Sequence, residues 1–91
     1  MLFRSQYAQA AQKYELAGER ALAAVLREKM GQFGRAAGLY EKAGDPAAAA
    51  RCHERAGDYR KAAVLMGRLD RLEEAAALLE RAGETDRKSV V

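Results

Sequence analysis

The chain has no tryptophan, one cysteine, one proline and one histidine in 91 residues, and aromatic residues make up only 7% of it. A lone Cys52 cannot close an intramolecular disulfide, so the staple of many small secreted domains is excluded. Cys52 and His53 are also the only thiol and imidazole, too few for a structural zinc site. Adjacent helical residues diverge by about 100° around the axis, so His53 is badly placed to activate its neighbour's thiol. Long apolar runs are missing too. The longest, residues 21–26, falls far short of the ~20 residues that a membrane helix needs. Yet hydrophobic residues reach 49%, too many for a chain that cannot offset its ordering entropy. One small globular domain, residues 1–91, is the expectation.

A strong excess of one charge is lacking as well. Sixteen Lys and Arg stand against 13 Asp and Glu, a net +3, and the two signs alternate along the chain. A nucleic-acid binder usually gathers its cations on one face, so this interleaving argues against nucleic acid as the partner. The start, Met1-Leu2-Phe3-Arg4, carries no basic segment followed by an apolar stretch, which makes a cytoplasmic location the expectation.

What is present is a period. From residue 7 to residue 84 the sequence divides without a gap into six blocks of 13, beginning at Tyr7, Arg20, Phe33, Pro46, Tyr59 and Leu72. The fourth and fifth positions are Ala-Ala in all six: Ala10-Ala11, Ala23-Ala24, Ala36-Ala37, Ala49-Ala50, Ala62-Ala63 and Ala75-Ala76. The ninth is Glu in five blocks (Glu15, Glu28, Glu41, Glu54, Glu80), and the twelfth is Gly in five (Gly18, Gly31, Gly44, Gly57, Gly83). Positions one, four, five, eight and eleven follow the spacing of an amphipathic helix. Each Gly stands where a left-handed residue closes a helix, and the next position offers an N-cap or first-turn acid in Glu19, Asp45 and Asp58. At Asp45-Pro46 the proline takes the first helical position, where its missing N–H costs nothing.

The spacing thus predicts six short antiparallel helices within 7–17, 20–30, 33–43, 46–56, 59–69 and 72–82. About 11 residues make a rod of roughly 16 Å, too short to persist alone in water. The helices must therefore stack, with the Ala-Ala column at the close contacts and position seven (Leu26, Leu39, Cys52, Leu65, Leu78) filling the space between them. Apart from Phe3, the aromatics (Tyr7, Tyr14, Phe33, Tyr40, Tyr59) all lie in odd blocks, so the true repeat is 26 residues: 7–32, 33–58 and 59–84. The polar tail 85–91 is expected to fray. The fold class is all-α, an α-solenoid of three helical hairpins in which each helix touches mainly its neighbours.

The segments Leu39-Tyr40-Glu41-Lys42-Ala43-Gly44-Asp45 and Glu54-Arg55-Ala56-Gly57-Asp58-Tyr59-Arg60-Lys61-Ala62-Ala63 resemble the helix-Gly-Asp-Tyr-helix corner of tetratricopeptide (TPR) repeats. They are still more similar to the short two-helix units of clathrin-heavy-chain-like and coatomer-like α-solenoids. The resemblance runs from residue 7 to residue 84 and implies a right-handed array serving as a protein-interaction scaffold.

The residues themselves offer little catalytic chemistry. The glutamates recur one per helix, as a solvated face requires, rather than as a catalytic pair. No glycine-rich phosphate cradle occurs. Cys52 sits in a column otherwise held by Leu and reads as a small core residue, and His53 as a packing or surface residue. Neither an enzyme, nor a cofactor, nor a bound metal is expected. The expected function is a scaffold that holds a protein or peptide partner on the odd helices, with Gln9, Gln12, Arg35, Gly38, Lys61 and Val64 bordering the groove. Two alternatives are a self-assembling domain and a basic helical-repeat nucleic-acid binder. Self-assembly has its own candidates. Lys13, Gln9 and Gln12 make the first helix polar, whereas the last wraps apolar residues around more than one face. There Leu72, Leu78 and Leu79 form a surface that a second copy in a homodimer, or further repeats of a longer solenoid, would cover.

Overall fold

The structure, a computed structural model, describes the backbone of residues 4–89 and the side chains of residues 6–84. Among the described residues there are six helices and no strand: α1 (Arg4–Leu16), α2 (Arg20–Lys29), α3 (Phe33–Lys42), α4 (Pro46–Arg55), α5 (Tyr59–Arg68) and α6 (Leu72–Ser89). Helices α2 to α5 each occupy the segment that the thirteen-residue period assigns them. None of the helices is long and apolar enough to cross a membrane.

Five corners share one hydrogen-bond pattern. After α3, the Gly44 N–H donates to the Glu41 carbonyl at 3.1 Å and the Asp45 N–H to the Tyr40 carbonyl at 2.9 Å. That paired closure gives the Tyr40 and Glu41 carbonyls partners and requires a left-handed residue at the corner. Gly44 supplies it with φ +82°. The fifth corner makes the same bonds around Asp70, the one non-glycine residue with positive φ (60°) among those described. A side chain in this conformation costs about 1–2 kcal/mol. Asp70→Gly is therefore expected to raise the melting temperature by several degrees, since about 1 kcal/mol moves a domain of this size by ~4–8 °C. A lowered temperature would mean that the Asp70 side chain stabilises the corner by more than its strain.

Asp45 and Asp58 cap α4 and α5, their carboxylates accepting from the Ala48 and Lys61 N–H groups. Glu19 stands at the N-cap of α2, as the sequence suggests, but its side chain makes no such bond. Its extra methylene carries the carboxylate past the short reach that suits Asp, Ser and Asn.

Each helix packs on the one before and the one after it, and non-consecutive helices barely approach. The molecule is a slab of 39 × 32 × 19 Å, about two helical layers thick. Its radius of gyration is 14.6 Å, above the roughly 12 Å of a compact domain this long. Odd helices form one layer and even helices the other. The alanine column is the seam between them: both alanines of α2, α3, α4 and α5 are buried. At the ends the two positions separate. Helix α1 buries Ala11 and half-exposes Ala10, while α6 buries Ala75 and exposes Ala76. Position four thus faces the preceding helix, and position five the following one.

The sixth corner does not form. Helix α6 runs through Gly83 to Ser89, so Gly83 is not a turn and residues 85–89 are helical rather than a frayed tail. A glycine inside a helix costs only about 1 kcal/mol. The residues after it, Glu84-Thr85-Asp86-Arg87-Lys88-Ser89, bring no alanine seam that would hold a turned-back segment on the stack.

Candidate interaction clefts on the odd helices

The register sets the eighth position of each helix against the ninth of the helix before it. Arg27 Nη2 donates to Glu15 Oε2 at 2.8 Å, and Tyr40 Oη donates to Glu28 Oε1 at 2.8 Å. His53 Nε2 lies 3.2 Å from Glu41 Oε2. In each pair the partners are 12 residues apart, and Arg27, Tyr40 and His53 are all buried. The glutamates are therefore rungs of an interhelical ladder rather than a uniformly solvated face, and His53 is one of its buried donors or acceptors. The ladder stops where position eight becomes Met66 and Leu79. Glu54, left without a rung, accepts from Arg81 Nη1 at 3.2 Å, and the same guanidinium lies 4.6 Å from the Tyr59 ring centroid.

Burial and the nearby Glu28 carboxylate shape the middle of the ladder. Burial, then the Glu28 hydrogen bond, pushes the Tyr40 phenol up to about 12. Burial, then the Glu28 charge, pushes the Cys52 thiol up to about 11, so Cys52 is no ready nucleophile. Burial also raises the Glu28 carboxyl, but hydrogen bonds from Tyr40, Arg51 and Cys52 and the Arg51 charge outweigh it and hold it below its ordinary value. Both raised groups are neutral when protonated, so the stability they contribute is complete below their unfolded values of 9.0 and 10.0. It is lost as the pH rises towards about 12. Urea midpoints should fall across that alkaline range, and the fall should shrink in a Tyr40→Phe, Cys52→Ala variant. A profile unchanged by the substitutions would contradict this origin.

Two clefts lie on the odd layer at equivalent places in the repeat. The first, of about 590 Å³, is lined by Ala8, Gln12, Glu15 and Leu16 of α1, Arg27 of α2 and Arg35 of α3. The second, of about 380 Å³, is lined by Glu41 of α3, His53 of α4 and Arg60, Lys61, Val64, Leu65 and Arg68 of α5. Shifting by 26 residues converts Glu15 to Glu41, Arg27 to His53 and Arg35 to Lys61, so a ladder rung floors each cleft and a cation stands at each rim. The first is the more polar. The second sets Val64 and Leu65 among three cations and one carboxylate.

Gln12 and Arg35 thus share the first cleft and Lys61 and Val64 the second, whereas Gln9 is exposed on α1 outside both. Gly38 is half-buried and lines neither, although it is the repeat equivalent of Gln12: it has no side chain to reach the wall. Leu72 and Leu79 of α6 are 67% and 54% exposed, while Leu78 is 6% exposed and belongs to the core. Leu78 leaves the open surface because position seven points between the layers even in the last helix. The sequence reading missed Arg27, His53 and the ladder glutamates. Their signal is the recurrence, 12 residues after a glutamate, of Arg, Tyr and His in three successive blocks.

Set against known proteins, the chain matches no family model, no curated protein and no solved structure.

Proposed function

We propose that the chain is a non-catalytic protein-interaction module, a short-repeat α-solenoid of the TPR-like and clathrin-like kind. On this reading it holds an acidic segment with aliphatic side chains along its odd helices. The observation that carries it is the second cleft, where Arg60, Lys61 and Arg68 surround Val64 and Leu65. Cations at a rim steer an acidic partner and set its register, and the apolar floor supplies affinity that salt does not screen. An equivalent cleft one repeat earlier lets one extended segment engage two sites, which multiplies affinity without new kinds of contact.

Peptides selected from a displayed random library supply the test. Selected binders should carry Asp or Glu beside Leu, Ile or Val. Arg35→Glu combined with Lys61→Glu, both at exposed positions, should weaken them at least ~10-fold, about 1.4 kcal/mol, with an unchanged melting temperature. Selection of no peptide, or binding indifferent to the double reversal, would overturn the reading.

A further inference from the structure

The two ends of the slab carry the separated halves of its own internal contact. At the joints from α1 to α4, position nine of one helix meets position eight of the next, and the burial at the two ends sets position five against position four. Helix α6 exposes Ala76 at position five and Glu80 at position nine. Helix α1 leaves Ala10 half-exposed at position four and Tyr14 38% exposed at position eight. Tyr14 and Glu80 therefore stand as Tyr40 and Glu28 do at the joint between α2 and α3, where the phenol donates to the carboxylate at 2.8 Å. The parity also agrees, because α6 is an even helix and α1 an odd one.

We infer that this protein assembles head to tail, with α1 of one copy docking on α6 of the next as α3 docks on α2. The occupant of each open end is a second copy of this chain, and Tyr14 donating to Glu80 across the joint restores a rung. Ala10 and Tyr14 line an apolar cleft of about 380 Å³ with Lys13 and Ala17, which suits the Ala76 face of α6 and sets the Lys13 cation on the side where Glu80 docks. The helix lengths fit as well. Helix α1 begins three residues before the first block and α6 continues to Ser89. In an antiparallel joint the start of α1 lies beside the end of α6, so the two extensions run alongside each other. Such a contact joins different surfaces and leaves one open end of each kind, so it generates an open chain of copies rather than a closed two-fold dimer. This inference does not depend on the clefts of the odd layer.

Sedimentation equilibrium tests it. The wild-type mass should rise with concentration through dimer and beyond. Tyr14→Glu, which blocks the α1 end and sets an acid against Glu80, should be a folded monomer, as should Ala76→Glu, which blocks the α6 end. Mixed, the two retain one competent end of each kind and should form a heterodimer of twice the monomer mass that grows no further. If circular dichroism shows either variant unfolded, Lys13→Glu and Glu80→Lys, at exposed positions on the same two ends, replace them: each alone should be monomeric, and the mixture, whose reversed charges complement each other at the second kind of joint, should grow beyond a heterodimer. A wild-type mass that stays monomeric would overturn the inference. So would self-association of either variant alone, which marks a two-fold contact or another face, or a mixture that remains monomeric.

Discussion

Leu78→Glu should abolish the cooperative thermal transition, whereas Leu79→Glu, one residue further along the same helix, should leave a folded protein. Leu78 is 6% exposed and packed in the core, so the substitution removes about 2–3 kcal/mol of apolar burial. It also puts a carboxylate where desolvation costs several kcal/mol more. Total stability of a small domain is only ~5–15 kcal/mol, and a two-layer slab with a thin core has little excess. Leu79 keeps 54% of its surface in water, so its replacement should cost about 1 kcal/mol or less. Melting followed by circular dichroism distinguishes the two. Equal losses would mean that α6 does not present these neighbouring residues to different environments.

Adding carbon to the alanine seam should destabilise although it adds hydrophobicity. Ala37 and Ala63 are buried, and by their repeat position each faces the position-four alanine of the following helix. Ala37→Leu and Ala63→Leu should each cost about 1–3 kcal/mol through forced displacement of the neighbouring helix. Ala76 occupies the same column as Ala37 and Ala63 but is exposed. Since Leu and Ala are both good helix formers, Ala76→Leu should change the stability of the dilute, unassociated chain by no more than ~0.5 kcal/mol. The contrast isolates packing from helix propensity, because all three changes are identical in chemistry and in repeat position. A rise in melting temperature for Ala37→Leu and Ala63→Leu would show that the seam is loose.

The repeat made most of the fold legible in the sequence. A gapless thirteen-residue period with a glycine at each corner leaves one arrangement of short helices, and Asp45-Pro46 marks a helix start from chemistry alone. The period says less about its own ends. Gly83 carries the corner signal, but a corner forms only when the following segment has a seam to dock, which the residues after Gly83 lack. The residues of the two clefts were legible in part for a similar reason. Arg35 and Lys61 are recognisable as repeat-equivalent cations on odd helices. The floor of each cleft, however, depends on how far one helix is displaced along the next. That displacement pairs Glu15 with Arg27 and Glu41 with His53, and it emerges only when helices are set side by side. Leu78 shows the same limit: a helical wheel gives its direction, but whether a neighbour fills that direction is a tertiary fact.

The most direct test of the proposed interaction surface is amide chemical-shift mapping of the ¹⁵N-labelled chain with a selected acidic peptide. The account predicts two clusters of perturbed amides one repeat apart, around Gln12 and Arg35 and around Lys61 and Val64, with Ala76 and Leu79 unmoved. Perturbation confined to α6, or spread over the outer face of the even helices with the odd layer silent, would contradict it.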